Sequence, residues 1–185
     1  MRVSKEKAAE NRERILTAAS RLIRERGISG VGVDTLTEAA GLTHGSLYSQ
    51  FGSKQRLAEE ALSYALAGSV AEMGDVDDLT AYFERYLSPK HRDTPGRGCA
   101  LAALGCEMPR QETGIRERFT GGVRRMVEQI GSLIRSGSKR QREDEALAVV
   151  AAMVGALVLA RAVDDNSLSD RILLAVRKRF ADKTD

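Results

Sequence analysis

Residues 33–54 constrain this chain more than any other stretch, because two short helical patterns meet there across a single glycine. Val33, Leu36, Ala39 and Ala40 have the spacing of one buried helical face. Gly41 can take a positive φ, which stops that helix. Thr43 is a good N-cap for a second one. The second helix has one apolar anchor in its middle, Leu47; His44, Gly45, Ser46, Tyr48, Ser49 and Gln50 are small or polar. A helix that keeps one anchor and shows hydrogen-bonding groups elsewhere is shaped to lie in a DNA major groove.

The segments on either side supply what such a pair needs for packing. Upstream, Ile15, Leu16, Ala18, Ala19, Leu22 and Ile23 form a helical stripe over about 8–26, ended by Gly27, with a polar, frayed start over residues 1–10. Downstream, Ser53 caps a long helix whose buried face is Leu57, Ala58, Ala61, Leu62, Ala65, Leu66 and Met73. No Pro/Gly-rich linker separates head from remainder, so the two are expected to be coupled mechanically. Asp75, Asp77 and Asp78 mark a turn, after which Leu79, Tyr82, Phe83, Tyr86 and Leu87 fall on one face.

Residues 88–98, rich in Pro and Gly, read as loop. A short apolar helix is expected over 99–107, broken by Pro109, and a longer one over 112–136. A basic turn at 137–142 then leads into a final hairpin, 143–163 and 168–181. The first arm of that hairpin is apolar nearly all round, so it needs burial on more than one side. Self-association through the hairpin is the expectation, with Val150, Met153, Val154, Leu157, Ile172, Leu173 and Val176 at the interface. The bland alternative is that both helices simply close a monomeric bundle.

Charge and cysteine usage narrow the classes. Residues 1–57 hold ten Lys/Arg and six Asp/Glu, a balance of +4, whereas the remaining residues balance to −1. The basic excess therefore belongs to the segment with the paired short helices, a modest asymmetry of the sign that favours a nucleic-acid partner and weak evidence alone. Cys99 and Cys106, seven residues apart on one expected helix, would stand roughly 10 Å apart by helical rise, too far to bridge, and read as buried small hydrophobes. The N-terminus is charged and lacks an apolar signal region. The uncharged run at 146–160 is shorter than the ~20 residues of a membrane span. A cytoplasmic protein with no membrane partner is expected. His44 and His91 have no partner at metal-ligand spacing, and no nucleophile–base pair is readable. Neither a metal, a cofactor nor an enzyme activity is therefore expected.

Together these patterns give an all-α fold of about nine helices, with a helix-turn-helix head at 1–52 and a helical ligand-binding and dimerisation domain at 53–185. Gly27-Ile28, Leu36, Ala40-Gly41-Leu42-Thr43, Gly45, Leu47-Tyr48, Phe51, Ser53-Lys54 and Leu57 resemble the signature of the TetR family of bacterial transcriptional regulators. The segment Gly98-Cys99-Ala100-Leu101 with Glu107 resembles one subgroup of its regulatory domain. Glycine stands at position 32, where the family often has a capping Ser or Thr; Thr37 and Gln50 also depart from its pattern.

The resemblance implies a homodimeric repressor of a palindromic operator on double-stranded DNA, released by a small-molecule effector. The alternatives are an activator, or a helical scaffold without a ligand. The implied DNA contacts are Thr35, Thr43, His44, Gly45, Ser46, Tyr48, Ser49 and Lys54, with the hydroxyls of Thr43 and Tyr48 and the Lys54 ammonium on phosphates. No Lys or Arg lies between Arg26 and Lys54, so the bidentate Arg–guanine contact is unavailable and base discrimination should be modest. Tyr64, Phe83, Tyr86, Cys99, Leu104, Met108, Phe119 and Met126 are the candidate lining of an effector cavity in the middle helices.

Overall fold

A computed structural model describes residues 4–73, 76 and 78–181, without the side chains of 70–73 and 181. The expected turn aspartates Asp75 and Asp77 and the side chain of Met73 lie outside the described residues. Among the described residues there are ten α-helices, one 3-10 turn and no strand. α1 (Lys5–Arg26), α2 (Val33–Ala40) and α3 (His44–Phe51) form the head, and α4 (Lys54–Met73) leads out of it. The remainder is α5 (Leu79–Tyr86), α6 (Pro89–Asp93), α7 (Ala100–Leu104), the 3-10 turn Met108–Arg110, α8 (Thr113–Leu133), α9 (Lys139–Ala162) and α10 (Asn166–Ala181).

Side-chain caps set where several of these helices start, and three of them account for departures from the sequence reading. Ser4 accepts the N–H of Lys7 at 3.2 Å, so α1 begins at Lys5 rather than fraying over ten residues. Ser88 accepts the N–H of His91 at 3.2 Å with Pro89 at the first helical position, which makes a helix of a stretch read as loop. Ser138 and Gln141 form a reciprocal capping box, so the basic segment 139–142 is the first turn of α9 and not a connection. The short apolar helix is only Ala100–Leu104, with Cys99 at its N-cap. Cys106 lies beyond its end and is exposed, not buried, because no helical turn carries it back to the core.

In the head, α1 packs across α2 and against α4, and its Ile15, Ala19 and Leu22 meet a core completed by Leu36, Leu47, Phe51 and Leu57. Ala39 is exposed rather than part of that face. In the body, α4 packs on α8, α8 on α9 and α9 on α10, with α5 against α10 and α7 lying across α4 and α9. α6 is tied down by two arginines. Arg161 from α9 donates to the carbonyls of His91 and Arg92 at 2.8 and 3.0 Å. Arg92 itself reaches Ser169 Oγ at 2.9 Å and Asp170 Oδ1 at 2.5 Å on α10.

Head and body share more than a covalent join. The Glu107 carboxylate, beyond α7, accepts the N–H of Ile28 in the α1–α2 link at 3.0 Å. A β-carbon at Gly27 would stand 2.2 Å from Glu107 Oε1, so that close approach needs glycine. Arg24 Nη1 on α1 also reaches the carbonyl of Gly98 at 3.3 Å.

Candidate nucleic-acid interface and cavity

The turn between α2 and α3 is built by backbone chemistry. Gly41 sits in the left-handed region (φ 63°, ψ 42°), and the N–H of Leu42 bonds to Thr37 O at 2.9 Å, closing the end of α2. Thr43 Oγ1 then accepts the N–H of Ser46 at 3.3 Å and starts α3. Leu47 and Phe51 are buried and anchor α3 to the head, while Thr43, His44, Gly45, Tyr48 and Ser49 are exposed. Tyr48, 47% exposed, is among the few large side chains of the head that the core leaves out.

Around this face, Lys54 is exposed in the first turn of α4, next to Arg56, which the sequence reading passed over. Ser46 and Thr35 are half-buried. Ser49 Oγ donates to Ser46 O at 2.9 Å. His44 Nε2 lies 2.5 Å from Asp34 Oδ1, an ion-pair geometry linking the starts of α3 and α2 that sequence spacing did not suggest. Gln50 turns away from this face: its side-chain amide donates to Ala8 O at 3.1 Å, and its backbone carbonyl accepts Arg12 Nη1 at 3.0 Å. Arg12 also lies over the Phe51 ring, 4.4 Å from the centroid, and pairs with Glu60 on α4. Thr37 is buried, its hydroxyl donating to the carbonyls of Val33 and Asp34, and Gly32 caps α2 without a side-chain bond.

The body holds a cavity of about 620 Å³ bounded by α4, α5, α6, α7 and α8. Of the residues expected to line it, Tyr86, Cys99 and Met126 do. Tyr64 instead faces α1, its hydroxyl donating to Glu13 Oε1 at 2.5 Å. Phe83 is fully buried with its ring against Phe180, centroids 5.8 Å apart. Leu104 and Met108 are core, and Phe119 is half-buried beside Gly105. Polar side chains not expected there complete the wall, among them Ser69, Lys90, His91, Arg97 and Gln129. The hydroxyl of Tyr86 is buried beside the Cys99 thiol, and burial pushes its pKa well up, so it stays neutral.

The hairpin expected to self-associate divides into two faces. Val150, Met153, Leu157 and Leu173 are buried within the chain, while Val154, Ile172 and Val176 are half-buried. The outward face of α9 carries Leu147 (49% exposed), Ala148, Ala151 and Leu159 (56% exposed), and α10 adds Leu168 and Leu174. By length and composition α9 would pass as a membrane span, yet it packs between α8 and α10 in the bundle.

Comparison with known proteins places these features in a family. Residues 15–61 match the family model for bacterial regulatory proteins of the tetR family, and residues 76–176 match a tetracyclin repressor-like C-terminal domain. The chain is 27% identical over 168 residues to the HTH-type transcriptional regulator LmrA of Bacillus subtilis, covering 85% of this chain and 89% of that protein. It is 30% identical over 119 residues to an uncharacterised HTH-type regulator of Mycobacterium tuberculosis, covering 62% of this chain but only 60% of that protein's length. Among solved structures, the reduced form of E. coli NemR superposes with a TM-score of 0.79 at 21% identity, over 95% of this chain and 99% of that one. A TetR-family regulator from Cytophaga hutchinsonii gives 0.76 at 20%, over 98% of each. At these identities the structural likenesses establish the fold.

Proposed function

Because this chain belongs to the tetR family of bacterial regulatory proteins, and is therefore a DNA-binding transcriptional regulator, we propose that it is a homodimeric repressor released from a palindromic operator by a small molecule. The family is one of regulators rather than enzymes, and such a regulator works in the cytoplasm, where the operator is. The observation that carries the DNA-binding half is the division of α3: Leu47 and Phe51 are buried while Thr43, His44, Gly45, Tyr48 and Ser49 stand clear of the protein. In this reading Thr43, Tyr48 and Lys54 hold phosphates, with Thr35 beside them at the start of α2. His44, Gly45 and Ser46 face base edges, and Ser49 lies at the margin.

The dimer supplies the second reading head. The outward apolar face of α9, with Leu168 and Leu174 of α10, is the surface that a second copy would cover through a two-fold axis. Release is proposed to run through two rigid connections. α4 carries Leu66 and Ser69 in the cavity wall at one end and Lys54 at the other. α7 has Cys99, Ala100 and Leu101 in the wall, and beyond its far end Glu107 holds the α1–α2 link. A ligand that displaces either connection alters the spacing of the two heads, provided it prefers one arrangement by a few kcal/mol.

The test is a mobility-shift titration of the purified protein on the DNA upstream of its own gene. Saturable binding that weakens steeply with salt is expected, with loss of affinity in Tyr48→Phe and Lys54→Ala. Undiminished binding by both variants would defeat the assignment of the reading face.

A further inference from the structure

The cavity has a charge preference written into its lining. Arg85 on α5, Lys90 on α6 and Arg97 after it contribute to the wall, and no aspartate or glutamate does among the described residues. All three are exposed, and Lys90 and Arg97 form no ion pair among the described residues. Close by, Arg161 is held by two backbone carbonyls rather than a carboxylate, and its Nη1 has no partner. Surface cations are individually weak, but several of one sign around a low-dielectric recess focus their field on whatever enters it.

Several other polar groups in the wall are already committed to the protein. His91 Nδ1 donates to Tyr86 O at 2.7 Å, and Nε2 accepts the N–H of Cys99 at 2.8 Å. Both ring nitrogens are thus used, and the imidazole is neutral. Ser69 Oγ is likewise occupied, donating to Ala65 O at 2.8 Å and accepting the N–H of Ala100 at 3.3 Å. The Tyr86 hydroxyl lies buried beside the Cys99 thiol, behind this surface. Leu66, Tyr82, Leu101 and Met126 make the rest of the surface apolar or aromatic.

We propose that this cavity takes a small organic anion, with its acidic head group at the Lys90–Arg97 side and an apolar or aromatic body against Tyr82, Leu101 and Met126. The volume of about 620 Å³ is that of a site for a drug-sized molecule. The inference rests on the reading of this cavity as the effector site, and it names the class of effector.

Two fluorescent probes with nearly the same aromatic body separate charge from shape: anilinonaphthalene sulfonate, an anion, and the uncharged N-phenylnaphthylamine. Titrated into the full-length protein at low salt, the sulfonate should bind about tenfold or more tightly than the neutral probe, and the preference should shrink at high salt. The double variant Lys90→Ala/Arg97→Ala should erase the preference while leaving the neutral probe's affinity in place. Met126→Trp, which fills the cavity, should weaken both. Equal binding of the two probes, binding of neither, a preference that survives the double variant, or sulfonate binding undiminished by Met126→Trp each overturns the proposal. Mobility shifts run with the same probes keep the two readings apart. An anion preference without release of DNA leaves the anion site standing and removes the effector role; release by the neutral probe alone does the reverse.

Discussion

α3 and α9 each bury one face and leave the other to solvent, but the uncovered faces are opposite in kind. α3 shows hydroxyls, an imidazole and bare backbone around Tyr48; α9 shows Leu147, Ala148, Ala151 and Leu159. A polar face is already satisfied by water, so a partner has to replace those hydrogen bonds one by one and bring its own charge. An apolar face gains simply by leaving water, and a second identical face serves as its cover. The first kind of helix yields a salt-sensitive, separable contact. The second, in the proposed dimer, would yield a standing assembly.

The sharpest way to break that contrast is to charge the apolar face. Ala151→Arg with Leu159→Arg should leave a folded monomer in sedimentation velocity at micromolar concentration and weaken operator binding about a hundredfold, since each head then binds alone. A persistent dimer would move the interface off α9. A change on the inner face should act differently: Leu157→Ala, at a fully buried position, should cost about 3 kcal/mol in a denaturant titration through the cavity it leaves, with assembly retained.

On α3 the effects are smaller, as expected of contacts made one at a time. Tyr48→Phe and Lys54→Ala should each lower operator affinity about fivefold to tenfold, and Lys54→Ala should also reduce the salt dependence by about one phosphate contact. Asp34→Asn should raise affinity about twofold to threefold, because it frees His44 and removes an anion from the side facing phosphates.

The smallest expected signal belongs to the cavity wall. Burial, with the Arg161 charge adding to it, holds the His91 pKa below its ordinary 6.5. The folded state therefore takes up its proton later than the unfolded chain as pH falls. Stability is then full above about pH 6.5 and declines below it until the folded group itself protonates. Denaturant midpoints at about pH 7.5 and about pH 5.5 should differ in the wild type, and by less in His91→Gln, which has no group to titrate there.

How much of this was legible depends on how far apart in sequence the determining residues lie. The head was readable because Gly41, Thr43, Leu47 and Ser53 act within a dozen residues of one another, through a turn, two caps and an anchor. The α9 hairpin was readable as apolar, but not as divided: the alanines and valines of α9 follow no clean stripe, so Met153 and Leu157 on the inner face could not be told from Leu147 and Leu159 outside. The cavity was the least legible. Helical spacing marks Phe83 and Tyr86 as inward-facing, yet only the packing of α4 and α8 decides that Tyr86 borders a space while Phe83 meets Phe180. Two of its three charged lining residues, Lys90 and Arg97, lay in residues 88–98, where proline and glycine outweighed the single Ser88 cap.

The Glu107–Ile28 hydrogen bond also has a meaning in the order of synthesis. Translation runs from the N-terminus, so the α1–α2 link leaves the ribosome 79 residues ahead of the carboxylate that satisfies it. Until then the Ile28 amide has to rely on water. The head of a nascent chain thus waits for its body to complete this bond, and a truncated product ending before Glu107 would leave the Ile28 amide to solvent.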